Sequence, residues 1–185
     1  MYGMVNNAIQ ELVCLKFGEE AWERIKVRAG IDIDVFISNE GYDDSITYRL
    51  VGAASEELNL SSDTILEAFG EHWILHTGRN GYGHLLTATG ASLPEFLRNL
   101  PAFHTRISLM MPNLKPPRFE ISDETADSLV LHHHTHRPGL AAFTVGLIKG
   151  LATMYDTPIA ITHDLKRGEG SDHDSFIINW ATGAA

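Results

Sequence analysis

The sequence predicts an α+β fold: a mostly helical N-terminal part packed on a small antiparallel sheet of about four strands, with one helix crossing it. Three observations carry this expectation. Apolar residues recur at helical spacing through most of the first 110 residues. The stretch Pro112-Asn113-Leu114-Lys115-Pro116-Pro117 then ends the last of these helices in a stiff, extended loop. Beyond it the apolar period shortens towards two, as strands require.

Val5, Ala8, Ile9, Leu12, Val13 and Leu15 form the apolar stripe of a first helix, and Ile46, Leu50, Val51, Ala54 and Leu58 that of a second. A third starts near Ser62-Asp63, which serve as caps, and runs through Ile65, Leu66, Phe69 and Trp73. Gly78-Arg79-Asn80-Gly81 is expected to break the pattern. Ser92-Leu93-Pro94-Glu95 has capping-box spacing and opens a helix with Leu93, Phe96, Leu97, Leu100, Phe103, Ile107 and Met111 as its apolar positions. Pro101 should kink or split that helix. Within its second piece His104, Ile107 and Met111 share one face, so His104 points inward.

Residues 118–122 and 128–137 read as two strands joined by a polar turn at Asp123-Glu124-Thr125. Residues 140–155 read as a helix with Phe143, Leu147, Ile148 and Leu151 apolar. Residues 158–162 and 175–180 read as two further strands, separated by the turn-rich Arg167-Gly168-Glu169-Gly170. One domain over residues 1–181 is expected, divided into a helical part at 1–62 and the remaining helices plus sheet at 63–181, with residues 182–185 a frayed tail.

Composition narrows the function. Hydrophobic residues make up 44% of the 185, enough to bury a core and to argue against disorder. No apolar run approaches the length of a membrane span, and the N-terminus carries no basic region or cleavage site of a signal peptide. Cys14 is the only cysteine, so no internal disulfide forms and a reducing, cytoplasmic setting is expected. Off the main stripe of its helix and without a cationic cluster, it reads as an ordinary thiol. A net charge of −10 opposes general nucleic-acid binding, which needs a positive surface.

Candidate chemistry centres on two places. A histidine on an apolar helix face, such as His104, is either a packed core residue or a ligand whose neutral imidazole donates to a metal. The run His132-His133-His134-Thr135-His136-Arg137 is the second place. On a strand, His133, Thr135 and Arg137 share one face, and an imidazole, a hydroxyl and a guanidinium in a row suit a pair of carboxylates. His132, His134 and His136 share the other face, either as a divalent-metal site or as a solvated surface. Asp172-His173-Asp174 offers a similar choice between a metal-type cluster and local hydrogen bonds at a turn.

Several stretches resemble one family. Tyr48-Arg49-Leu50-Val51-Gly52-Ala53-Ala54, Ala68-Phe69-Gly70-Glu71, Gly81-Tyr82-Gly83, Leu93-Pro94-Glu95-Phe96, the block 100–119 with His104 and Pro116-Pro117, and Gly139-Leu140 are similar to the heme–nitric oxide/oxygen-binding (H-NOX) family. These are the bacterial relatives of the soluble guanylate cyclase sensor domain, and the resemblance covers nearly the whole chain. It implies heme b (iron protoporphyrin IX) between the two parts of the fold, His104 as iron ligand and Pro117 as the proline that distorts the porphyrin. The family's tyrosine, serine and arginine for the propionates fall on His133, Thr135 and Arg137, so two of the three differ. A propionate would raise the pKa of His133 and burial would lower it; if the propionate dominates, heme binding weakens as pH rises past neutrality.

The distal tyrosine of oxygen-binding members falls on Phe143, which has no donor. Trp73 and Val5 fall in the distal pocket, Trp73 being equally readable as ordinary core packing. The resemblance therefore implies a non-enzymatic sensor of nitric oxide and carbon monoxide with no stable oxygen complex. It would signal to a histidine kinase or a cyclic-di-nucleotide enzyme, with neither nucleic acid nor membrane as partner. Two alternatives stay open: a metal-binding or metalloenzyme domain using His132, His134 and His136 without porphyrin, and a heme-free module for another acidic or apolar ligand.

Overall fold

The computed structural model describes residues 1–110 and 115–181. Four helices come first: α1 Gly3–Phe17, α2 Glu19–Ala29, α3 Asp44–Leu58 and α4 Ser62–His72. After a π-helical segment, Trp73–Gly78, come α5 Arg79–Thr87 and α6 Leu93–Met110. Strands β1 Arg118–Ser122 and β2 Ser128–His134, helix α7 Ala141–Met154, and strands β3 Ile159–His163 and β4 Asp174–Trp180 complete the chain. The α+β expectation holds. The sheet is antiparallel with strand order β1-β2-β4-β3.

Two apolar cores form. Ile9, Leu12, Trp22, Ile25, Leu50 and Phe69 anchor the first, among α1 to α4. Phe96, Leu97, Leu129, Leu131, Phe176 and Ile178 anchor the second, between α6, α7 and the sheet. The sheet's inner face follows from register: Phe119 pairs with His133, and Leu131 with Phe176. Helices α4 and α7 join the cores at very close range. A Cβ on Gly146 would stand 2.0 Å from the Glu67 carbonyl oxygen, and one on Gly70 would stand 2.3 Å from that of Phe143. Only glycine allows the two backbones to approach this closely.

Several local expectations are corrected. The third helix is capped by Ser61, whose Oγ accepts from the Thr64 N–H, rather than by Ser62-Asp63. The 78–81 stretch does not end it. The chain continues through the π-helical segment into α5, with the irregularity at Tyr82 (φ −137°, ψ 19°). An inserted π turn absorbs there what glycine content suggested as a break. Pro101 lies inside a continuous α6. Leu15 is 68% exposed, off the buried stripe of α1. Strand β2 stops at His134, three residues short of Arg137. Helix α2, which buries Trp22 and Ile25, carries no capping side chain, and its short stripe was not separately legible. Met111, the loop residues Pro112, Asn113 and Leu114, and the 182–185 tail lie outside the described residues.

Candidate functional site

A cavity of about 270 Å³ opens between the two cores, bounded by α1, α4, the π-helical segment, α6, β1, β2 and α7. Every residue singled out from sequence for the heme site lines it: His104, Pro117, His133, Thr135 and Arg137, together with Val5, Trp73 and Phe143.

His104 projects from α6 beside Phe103 and Phe119, with ring centroids 5.5 and 5.0 Å away. Its Nδ1 lies 3.1 Å from the Leu100 carbonyl oxygen, one turn back. Burial pushes its pKa below the usual histidine value, outweighing the raising effect of that hydrogen bond. The ring is therefore neutral, and with Nδ1–H donated to Leu100 its Nε2 keeps a lone pair.

Arg137 follows the end of β2. Its Nε donates to Asp44 Oδ2 at 2.7 Å and its Nη1 to the Lys115 carbonyl at 3.0 Å. The Thr135 hydroxyl accepts the Arg137 backbone N–H at 3.1 Å, fixing the turn that aims the guanidinium. Asp44 also receives the N-terminal ammonium of Met1 at 2.5 Å. Burial works to raise the Asp44 carboxyl, but Arg137 and the ammonium outweigh it and hold it below the ordinary range. The Lys115 side chain lines the same wall.

His133 is only 3% exposed and stacks on Phe119, with centroids 5.1 Å apart and rings 18° from parallel. Its Nδ1 lies 3.4 Å from the Thr144 hydroxyl, which also donates to Leu140 O. Burial lowers its pKa to about 4, against the raising effect of Asp174. Burial outweighs Asp174, so the ring is neutral before any propionate is present.

The opposite wall is apolar. Phe143 packs on Phe69 with ring centroids 4.8 Å apart, and Trp73 meets Phe69 edge-on at 6.2 Å. Trp73 both packs against the two cores and lines the cavity, so its two readings coexist. Tyr82 also lines the cavity, its hydroxyl 3.9 Å from Met4 Sδ.

Residues 2–163 match the Haem-NO-binding family. The chain belongs to this family. H-NOX domains of this kind bind heme and diatomic gases and act as non-catalytic sensor domains. Among curated relatives, the soluble guanylate cyclase gcy-34 of Caenorhabditis elegans is 32% identical over 157 residues, covering 83% of this chain and 23% of that protein. The soluble guanylate cyclase gcy-32 of the same organism is 30% identical over 192 residues, covering 97% and 28%. The chain thus spans about a quarter of the length of these relatives. The Fe(II) unliganded H-NOX protein from K. algicida superposes with a TM-score of 0.87 at 24% identity, covering 100% of this chain and 99% of that one. The S. oneidensis H-NOX protein in its Fe(II)NO state does so with 0.88 at 19% identity, covering 98% and 99%. These two share the H-NOX fold.

The donor set fits a heme. A neutral imidazole with a free Nε2 can hold the iron, an apolar cleft suits the macrocycle, and Arg137 can meet a carboxylate once it shares or releases Asp44. Asp44, Lys115, the Met1 ammonium and Tyr82 were not flagged from sequence as site residues. Asp44 joins Arg137 across 93 positions, and nothing local signals that pairing.

The histidine run divides as strand alternation requires, with His133 inward and His132 and His134 outward. His136 lies exposed beyond the strand end and joins neither group. His134 instead meets His173 and Asp172 from the loop before β4. Cys14 is raised above its ordinary pKa by burial, then by Glu19 and Glu23, as suits an unreactive thiol. Among the described residues no helix is long and apolar enough to cross a membrane.

Proposed function

We propose that this chain binds heme b through His104 and senses nitric oxide and carbon monoxide, forming no stable complex with dioxygen in air. One observation carries the gas selectivity: the wall built by Phe143, Phe69 and Val5 offers no hydroxyl at the position where oxygen-binding relatives have tyrosine. Dioxygen on ferrous iron gains partial negative charge and needs a donor, whereas nitric oxide binds tightly without one.

Heme b, when bound, would supply the ferrous iron that takes up a diatomic gas. His104 holds the iron, and the Leu100 carbonyl keeps its ring in the donating tautomer. Arg137 and the Thr135 hydroxyl receive the propionates, and His133 contributes at most one neutral N–H. Pro117, in the cavity wall, would press on a bound porphyrin. Val5, Trp73 and Phe143 exclude water from the gas side. A shift of His104 has a path outward through Phe119 on β1 to His133 on β2, by ring contacts of 5.0 and 5.1 Å. The receiver is a signalling histidine kinase or a cyclic-di-nucleotide enzyme, and the setting is cytoplasmic.

The absorption spectrum of the purified ferrous protein, read beside its iron content, tests this. One heme iron per chain, with spectral shifts under nitric oxide and carbon monoxide and none in air before slow oxidation, is the expected result. A stable new spectrum in air contradicts the selectivity, and iron without porphyrin contradicts the cofactor.

A further inference from the structure

On the outer face of the sheet, away from the heme cavity, three side chains converge from two separate elements. His134 is the last residue of β2, and Asp172 and His173 precede β4. One ligand atom from each lies within 4.8 Å of the other two. The His134 and His173 rings stack with centroids 4.2 Å apart. His134 Nε2 is buried and has no hydrogen-bond partner, an unusual state for a buried ring nitrogen. Glu120 on β1 brings a fourth donor, its Oε2 3.4 Å from that same nitrogen.

We propose that His134, His173, Asp172 and Glu120 form a binding site for a divalent zinc-type cation. Two imidazoles and two carboxylates suit a borderline ion such as Zn²⁺, whereas calcium and magnesium require a shell of oxygens. Asp172 and Glu120 offset the ion's charge, Glu120 through Oε2 while its Oε1 pairs with Arg118. Ligand atoms around tetrahedral zinc stand about 3.4 Å apart, given bonds of ~2.0–2.1 Å. His134, Asp172 and His173 therefore need only to close in by side-chain movement, with Glu120 reaching the ion beside His134. His173 Nδ1 and Asp172 Oδ1, now 2.7 Å apart, must open by less than about 1 Å to admit the ion. Asp172 has the freedom to do so, with its side chain 90% exposed. His132 Nδ1 lies 2.9 Å from His173 Nε2, and by accepting the Nε2–H hydrogen bond it leaves the Nδ1 lone pair of His173 for the metal. The ion would tie β1, β2 and the β3–β4 loop together, immediately behind the strand that carries His133 into the cavity.

The test uses tag-free, heme-loaded protein and Zn²⁺ alone. Equilibrium dialysis with metal counting gives stoichiometry and affinity, and X-ray absorption at the zinc edge counts imidazole ligands without interference from heme iron. One zinc per chain with two imidazoles is expected. His134→Gln and His173→Gln should each weaken binding by ~100-fold, and His132→Gln by ~10-fold, as lost outer-shell support does elsewhere. Should His134→Gln fold poorly, the exposed Asp172→Asn carries the test, with an unchanged heme spectrum as its folding control. Unaltered zinc affinity in His173→Gln or Asp172→Asn overturns the proposal. So does zinc that is lost with His76→Gln instead, which would place the ion at the His72–His76 stack on the helical side.

Discussion

Arg137 Nε lies 2.7 Å from Asp44 Oδ2, so the guanidinium expected to hold a propionate already holds a carboxylate. Heme must share or displace that partner. Asp44→Asn should therefore slow heme transfer to an acceptor protein by roughly threefold to tenfold, because the full charge of Arg137 becomes available to the propionate. Arg137→Ala should speed the same transfer. If Asp44→Asn releases heme faster than wild type, Asp44 acts as a support for Arg137 and not as its competitor.

Phe143 packs on Phe69 with no donor on its ring. Phe143→Tyr should confer measurable oxygen binding on the ferrous protein, provided the new hydroxyl reaches the ligand within normal hydrogen-bond distance. Tyr82→Phe should leave gas binding by the wild-type protein unchanged, since the Tyr82 hydroxyl faces Met4. Oxygen binding by wild type that disappears in Tyr82→Phe would identify Tyr82 as a donor and reverse the selectivity.

Pro117 stands in the cavity wall beside Pro116. Pro117→Ala should relax the macrocycle, shifting the reduction potential and the out-of-plane vibrational bands together, because distortion is one of the protein's controls on heme. Both quantities unchanged would remove Pro117 from that role.

His133 gives a pH dependence of definite sign. Burial holds it at about 4 in the folded chain, against ~6.5 when unfolded. The unfolded chain thus binds the extra proton between those values, and stability is full above ~6.5 and falls as pH drops towards 4. The ceiling on this contribution is roughly 3 kcal/mol. His133→Phe should flatten that part of the acid limb in denaturant titrations of the protein. At neutral pH and above His133 is neutral throughout, so heme transfer profiles of wild type and His133→Tyr should run parallel. A wild-type profile that weakens through neutrality would mean that a propionate has overcome the burial.

The sequence displayed much of this arrangement because periodicity reports faces. Alternation along β2 put His133 on one side and His132 and His134 on the other, as found, although the strand stops before Thr135, and Thr135 and Arg137 line the cavity from beyond its end. The helical stripe placed His104 inward. Long-range pairs were not legible: Asp44 with Arg137, or His134 with His173, depend on how separate elements pack. How dry the His133 ring is was not legible for the same reason, since it depends on packing against Phe119 and Thr144. Glycines at 78 and 81 suggested a break, but Gly78 closes a π turn in which a Cβ would stand 2.9 Å from the Trp73 carbonyl oxygen.

If His104 supplies the protein's bond to iron, it does so through an Nε2 left free by the Nδ1 contact with Leu100. The most direct measurement is the ferrous absorption spectrum and heme content of His104→Ala, prepared with and without free imidazole. Loss of most heme without imidazole, and recovery of a wild-type-like spectrum when imidazole fills the place of the missing ring, is the expected result. Full heme content with an unchanged five-coordinate ferrous spectrum in the absence of imidazole would contradict it.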